Sequence, residues 1–89
     1  MRINKLLELF YMATGFKIKT THHGYKFEVT TDLVSAEISL AEIKRQCKSY
    51  CTRCIEQFES NAAYCEDADG AEWFQECADN WRRTLESID

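Results

Sequence analysis

Thiols and imidazoles carry most of the latent chemistry in this chain. It has five cysteines and two histidines in 89 residues. Cys47, Cys51 and Cys54 recur at helical spacing, and Cys65 and Cys77 follow at wider intervals. Thiolates at short spacing can hold an iron–sulfur cluster or zinc, and an exposed one can act as a redox switch. The adjacent pair His22-His23 can ligate metal or titrate near neutral pH.

Each of these chemistries meets a plainer alternative. Cys47-x3-Cys51-x2-Cys54 matches the spacing of the radical-SAM iron–sulfur run. That chemistry needs a barrel larger than this chain can build, and the three thiols fall on a helical seam, not in a loop. For zinc, Cys51-x2-Cys54 would be one ligand pair, with Cys65 and Cys77, or Cys47 and a histidine, as the other. In a helical hairpin turning near residue 68, Cys77 lies level with residue 60, about 9 Å along the axis from Cys54. One ion does not gather ligands so far apart. The cysteines therefore read as buried, small, apolar residues. A metal- or redox-responsive regulator using these helix cysteines is the alternative functional reading. No metal and no cofactor is assigned. His22 and His23 read as exposed turn residues, and no Ser, Cys or carboxylate is placed to make them a catalytic pair, so the chain reads as a non-enzyme.

The charge is distributed unevenly. The net charge is −4, yet residues 1–26 hold five basic residues and one acidic. No Lys or Arg falls between Arg53 and Arg82. Glu56, Glu59, Glu66, Asp67, Asp69, Glu72, Glu76 and Asp79 all lie in that gap. Such a stretch can be the solvated face of a helical hairpin, with acids near residue 70 favouring a helix N-terminus. It can also steer the chain toward a basic partner while repelling nucleic acid. Trp73, Phe74 and Trp81 recur at helical spacing and read as core. A partly exposed Trp beside acids would suit a protein–protein hot spot.

The elements that position these residues follow from periodicity. Residues 3–13 predict a helix with Ile3, Leu6, Leu7, Phe10 and Ala13 on one face, closed by Gly15. Residues 16–20 and 25–29 alternate apolar and polar around Thr21-His22-His23-Gly24, so they predict a β-hairpin in which Gly24 supplies the positive φ. The alternation sets Lys17, Lys19 and Lys26 opposite Phe16, Tyr25 and Phe27, which leaves no interleaved basic–aromatic platform for nucleic acid. Thr31-Asp32 predicts a turn. Residues 33–38 read as a third strand with Val34, Ala36 and Ile38 inward, a helix being the alternative. Ser39-Leu40-Ala41-Glu42 has the form of a capping box. It opens a helix over 40–65 whose seam is Leu40, Ile43, Cys47, Cys51, Cys54, Phe58, Ala62 and Cys65. Asp69 reads as the N-cap of a last helix, 70–88, with Trp73, Phe74, Cys77, Trp81, Thr84, Leu85 and Ile88 on its inner face.

The expected architecture is thus α+β in the order α-β-β-β-α-α, with a small antiparallel sheet packed by a C-terminal helical hairpin. The chain reads as a single domain over 1–89, with 16–38 forming the hairpin and third strand. The absence of Pro and the three Gly fit long helices. An odd cysteine count, the acidic Glu8 in the first apolar stretch and the lack of any long apolar run predict a reduced cytoplasmic protein with no membrane partner.

In size, acidity and order of elements, the whole chain resembles small phage- or mobile-element-encoded inhibitors of the anti-CRISPR kind. The resemblance carries over no site residue, and it implies the host cytoplasm as the place of action. The functional expectation is a non-catalytic inhibitor. Its acidic surface, Glu56, Glu59, Glu66, Asp67, Asp69, Glu72, Glu76 and Asp79, would engage a larger basic protein, of the kind that binds nucleic acid. A hairpin with aromatic faces also suits pairing with a second copy.

Overall fold

Apolar residues surround most of the circumference of the first helix, α1 (Ile3–Thr14), in the computed structural model, which describes residues 1–28 and 36–89. Among the described residues, two further helices and three strands follow, giving an α+β chain in the order helix, three strands, two helices. The residues divide into two compact units, Met1–Cys47 and Lys48–Asp89.

In the first unit, α1 buries Leu6, Leu9 and Phe10. The inner face is centred one step round the helix from the expected one: Leu9 is inside, and Ile3 is 36% exposed. Leu6, Leu9 and Phe10 form an i, i+3, i+4 set, which packs as one ridge. Gly15 ends the helix at φ 76°, and its N–H donates to the Tyr11 carbonyl at 2.7 Å. A side chain at that φ would clash with its own backbone, so glycine is the residue that fits.

Strands β1 (Ile18–Thr21) and β2 (Gly24–Phe27) form the hairpin, and β3 (Glu37–Ile38) adds to β2, all antiparallel in the order β1-β2-β3. His22 and His23 are the exposed turn residues, and Gly24 has φ 148°. The pairs Ile18↔Phe27 and Lys19↔Lys26 put apolar and basic residues on alternate faces, as their spacing predicts. Phe27 meets Phe10 at 6.2 Å and Phe16 at 5.7 Å between ring centroids. Ladder bonds extend past the strands, from Phe27 N–H to the Ala36 carbonyl and from Glu28 N–H to the Lys17 carbonyl. Ala36 is exposed, against its expected inward place, while Ile38 is half-buried. The turn expected at Thr31-Asp32 and the strand residues expected at Leu33, Val34 and Ser35 lie outside the described residues, as does Val29.

Helix α2 (Leu40–Tyr64) gives its first two turns to the first unit and the rest to the second. Glu42 N–H donates to the Ser39 hydroxyl at 3.1 Å, which is one half of a capping box. Among the described residues, the reciprocal half does not form. The Glu42 carboxylate turns along the helix instead and accepts from Arg45 Nε at 2.8 Å, Arg45 Nη2 at 2.5 Å and Gln46 Nε2 at 3.0 Å. Ile43, Cys47 and Cys51, spaced by four, are fully buried. Leu40, the expected start of that seam, is exposed at the helix end.

Helix α3 (Ala68–Glu86) starts two residues earlier than expected, with Asp67 as N-cap and Asp69 inside the first turn. Asp67 adopts extended backbone angles but makes no side-chain cap bond; its carbonyl accepts from Ala71 N–H at 2.9 Å. Tyr50 meets Trp81 at 5.5 Å, and Phe58 meets Phe74 at 6.3 Å, so α2 and α3 run antiparallel. Ala78 is fully buried and Ile88 nearly so.

The Glu42 cluster makes a pH prediction. Its hydrogen bonds to Arg45, then to Gln46, pull the carboxyl from 4.5 down to about 2. A depressed carboxyl stabilises the fold fully above its unfolded value and loses that contribution as pH falls through the folded one. Wild type should therefore melt above E42Q at pH 6, and the gap should close between about pH 4.5 and pH 2. Thermal melts followed by circular dichroism check this, and a gap as wide at pH 2 as at pH 6 would contradict it.

Candidate protein-binding surface

The first half of α3 carries its acids on one line. Asp69, Glu72 and Glu76 fall at i, i+3 and i+7, and all three are exposed. Trp73 lies four residues after Asp69 and three before Glu76, so it borders the same stripe. It is 57% exposed. It still packs in edge-to-face geometry, with ring centroids 6.4 Å from Phe58 and 5.2 Å from Phe74. The indole is thus held on one side by the aromatic cluster of the hairpin and open on the other. Glu66 and Asp67, both exposed, stand just before the helix. Acids at this end face the partial positive charge of the α3 N-terminus, which favours them there.

The eight candidate acids differ in their surroundings. Glu59 and Asp79 are both drawn to Arg82, Asp79 at 2.8 Å from Nη1 and Glu59 on Nη2. Gln75 Nε2 also donates to Asp79 at 3.3 Å. Glu56 is exposed on α2, but it is two residues from Phe58 and so turns away from the face that meets α3. That leaves Glu66, Asp67, Asp69, Glu72 and Glu76 gathered around the start of α3. Tyr64, the last residue of α2, is 86% exposed close to them in sequence. Periodicity signals Tyr64 only by its position off the buried seam.

The cysteines divide by burial. Cys47 and Cys51 are buried, while Cys54, Cys65 and Cys77 are half-buried. The Cys47 thiol donates to the Leu6 carbonyl at 3.5 Å. Burial, and then the neighbouring Cys54, push the Cys51 thiol up, which opposes the thiolate that metal binding or redox attack requires. Burial raises the Tyr50 phenol as well, with the Cys54 thiol beside it adding to the shift. Among the described residues, no group of three or more His, Cys, Asp or Glu is arranged to hold a metal ion. His22 and His23 are exposed at the hairpin turn.

No family model, curated protein or solved structure matches the chain.

Cys65 has a structural consequence at the edge of this surface. Its thiol donates to the Asp67 carbonyl at 3.4 Å, across the α2–α3 turn. A Cβ on Gly70 would lie 2.8 Å from Cys65 Sγ, closer than atoms of that kind approach. Gly70 therefore keeps the turn tight at the N-terminus of α3. Ala in place of Gly in a helix otherwise gains about 0.5–1 kcal/mol. G70A should gain that amount in a C65A background and gain less, or lose stability, in wild type. Urea unfolding of the four proteins in this cycle measures the coupling, and an equal effect of G70A in both backgrounds would refute the contact.

Proposed function

We propose that this chain is a non-catalytic binding module that inhibits a larger, basic, nucleic-acid-binding protein, in the manner of anti-CRISPR inhibitors. The supporting observation is the exposed stripe Asp69, Glu72 and Glu76 bordered by the half-open indole of Trp73. The stripe offers carboxylates about 4.5 Å and 6 Å apart along the helix axis, given the rise per residue. Phosphates rise by about 3.4 Å along one nucleic-acid strand, so the two ladders of charge are of the same order. A groove lined with Lys and Arg that accepts one can accept the other. Trp73 adds what phosphates lack, an apolar anchor of the type that dominates protein interfaces. Glu59 and Asp79 have a smaller part, because Arg82 already balances them.

The partner is to be captured from host lysate on immobilised wild-type protein, identified by mass spectrometry, and titrated by calorimetry. D69K/E72K/E76K should weaken its binding by at least about 100-fold at low salt, and W73A by about 30-fold, as loss of an interface hot spot does. Nucleic acid bound by the partner should compete. Equal affinity of wild type and the triple reversal at low salt would end this reading.

A further inference from the structure

The aromatic contacts between α2 and α3 fix the register of the hairpin, and that register brings two thiols to one level. Tyr50 meets Trp81, and Phe58 meets Phe74. Cys54 lies midway between Tyr50 and Phe58, four residues from each, on the same side of α2. Cys77 lies three residues after Phe74 and four before Trp81, on the same side of α3. At a rise of about 1.5 Å per residue, the two cysteines fall within about 1.5 Å of one level along the axes. A turn near residue 68 would set Cys77 level with residue 60 instead. Helix α2 ends at Tyr64 and α3 starts at Ala68, so the hairpin turns sooner and the offset from Cys54 closes. The Cys54 thiol lies beside the phenol of Tyr50, whose ring meets Trp81, so the thiol too faces α3. Cys51 and Ala78, next to the pair, are fully buried. Small side chains at a contact let helix axes approach to about 8 Å. With Cα atoms about 2.3 Å from each axis, residues flanking the contact line then bring their Cα atoms into the range of about 4.4–6.8 Å that a disulfide spans. Of the other thiols, Cys47 belongs to the first unit, Cys51 is level with Asn80, and Cys65 stands at the turn.

We propose that Cys54 and Cys77 form a reversible disulfide that ties α2 to α3 within the second unit. The oxidant is a low-molecular-weight disulfide such as oxidised glutathione. The thiolate of one cysteine attacks a sulfur of that disulfide, its S–S bond breaks, and one small thiol leaves. The second protein thiolate attacks the protein sulfur of the mixed disulfide and releases the second small thiol. Two protein thiols are oxidised to one disulfide, one small disulfide is reduced to two thiols, and the two protein protons pass to the leaving thiolates. Half-burial admits the small disulfide to Cys54 and Cys77, whereas Cys51 is closed off from it. An excess of small thiols reverses the exchange, as suits a redox-sensing bridge in a reducing compartment. The bridge uses neither Trp73 nor the α3 acids, and it holds whether or not that surface binds a partner.

The test is incubation of the folded full chain with excess oxidised glutathione, followed by alkylation of free thiols in denaturant and measurement of the intact mass. Wild type should lose two of its five alkylation sites and run as a monomer on a non-reducing gel. Digestion with trypsin and a glutamyl endopeptidase should release Cys54–Glu56 linked to Cys77–Arg82, and dithiothreitol should separate the two peptides. The oxidised protein should melt about 10 °C or more above the reduced one, since the bridge closes a loop of about 24 residues in the unfolded chain. C54S and C77S should each abolish the linked peptide and the melting shift while keeping the circular dichroism of reduced wild type. Five alkylation sites left in wild type after oxidation overturn the proposal. So does glutathione held as a mixed disulfide with no internal bridge, a Cys51–Cys54 link, or a dimer joined between chains. The mass of wild type decides the matter even where a variant unfolds.

Discussion

The closed seam of α2 is the constraint on which the first unit depends. Ile43 and Cys47 are fully excluded from water, and a helix that buries residues at that spacing can turn only one side inward. Cys47 is small enough to let a neighbouring backbone approach, and its thiol reaches the Leu6 carbonyl. A Leu or Met there would hold the backbones apart. The approach sets which ridge of α1 faces inward, and Leu6, Leu9 and Phe10 follow. Phe10 then meets Phe27, which fixes the apolar face of the hairpin and leaves Lys19 and Lys26 on the other face. Cys47 thus acts here through its volume.

In the second unit the same logic separates aromatic from acidic residues. Phe58, Phe74 and Trp81 occupy the facing sides of the hairpin, and the acids of α3 fall elsewhere by helical periodicity. Stability alone accounts for part of the acidic excess. Asp67 and Asp69 gain from the helix dipole, by a few tenths of a kcal/mol to about 1 kcal/mol each at an exposed end. Glu59 and Asp79 share Arg82, and exposed pairs of that kind contribute little. Neither argument reaches Glu72 and Glu76. They stand a turn or more into the helix with no cation drawn to them by hydrogen bond or ion pair among the described contacts. Nor does either argument explain why the indole of Trp73 stays half open beside them.

The sequence made the elements legible and left their rotation and ends less so. Period-two alternation around Thr21–Gly24 located the hairpin, because one slipped residue would have turned every apolar side chain outward. Period 3.6 located all three helices. Periodicity puts Ile3 on the inner face of α1, yet Leu9 is inside. A helix that is apolar nearly all round offers two workable faces, and only packing chooses between them. Ala78 is not legible for a related reason, since a small residue on the buried edge adds little to a periodic pattern. Asp67 displaced Asp69 as N-cap although both have the right chemistry, because the bond of Cys65 to the Asp67 carbonyl and the tight approach of Gly70 hold the turn two residues earlier. The capping box at Ser39 was half legible. Its hydroxyl caps, but Arg45 and Gln46 compete successfully for the Glu42 carboxylate, and the sequence motif does not include them. Of the candidate acids, the pattern located the α3 stripe but could not foresee that one arginine would take up Glu59 and Asp79.

On the reading proposed for the α3 surface, its two kinds of residue do different work. Exposed carboxylates interact weakly once water and salt screen them, so Asp69, Glu72 and Glu76 act mainly on approach and orientation. Their reach is set by the Debye length of about 8 Å at physiological salt, which exceeds the spacing along the stripe, so a partner meets them as one extended charge. Residence depends on a contact that excludes water. Trp73 is the large side chain that stands at the edge of the stripe while its ring is already packed against Phe58 and Phe74. An indole fixed before binding gives up little rotamer freedom on contact, so more of its burial appears as affinity. The stripe would govern how fast a basic groove is found, and Trp73 how long it is held, which is the combination a competitor of nucleic acid requires.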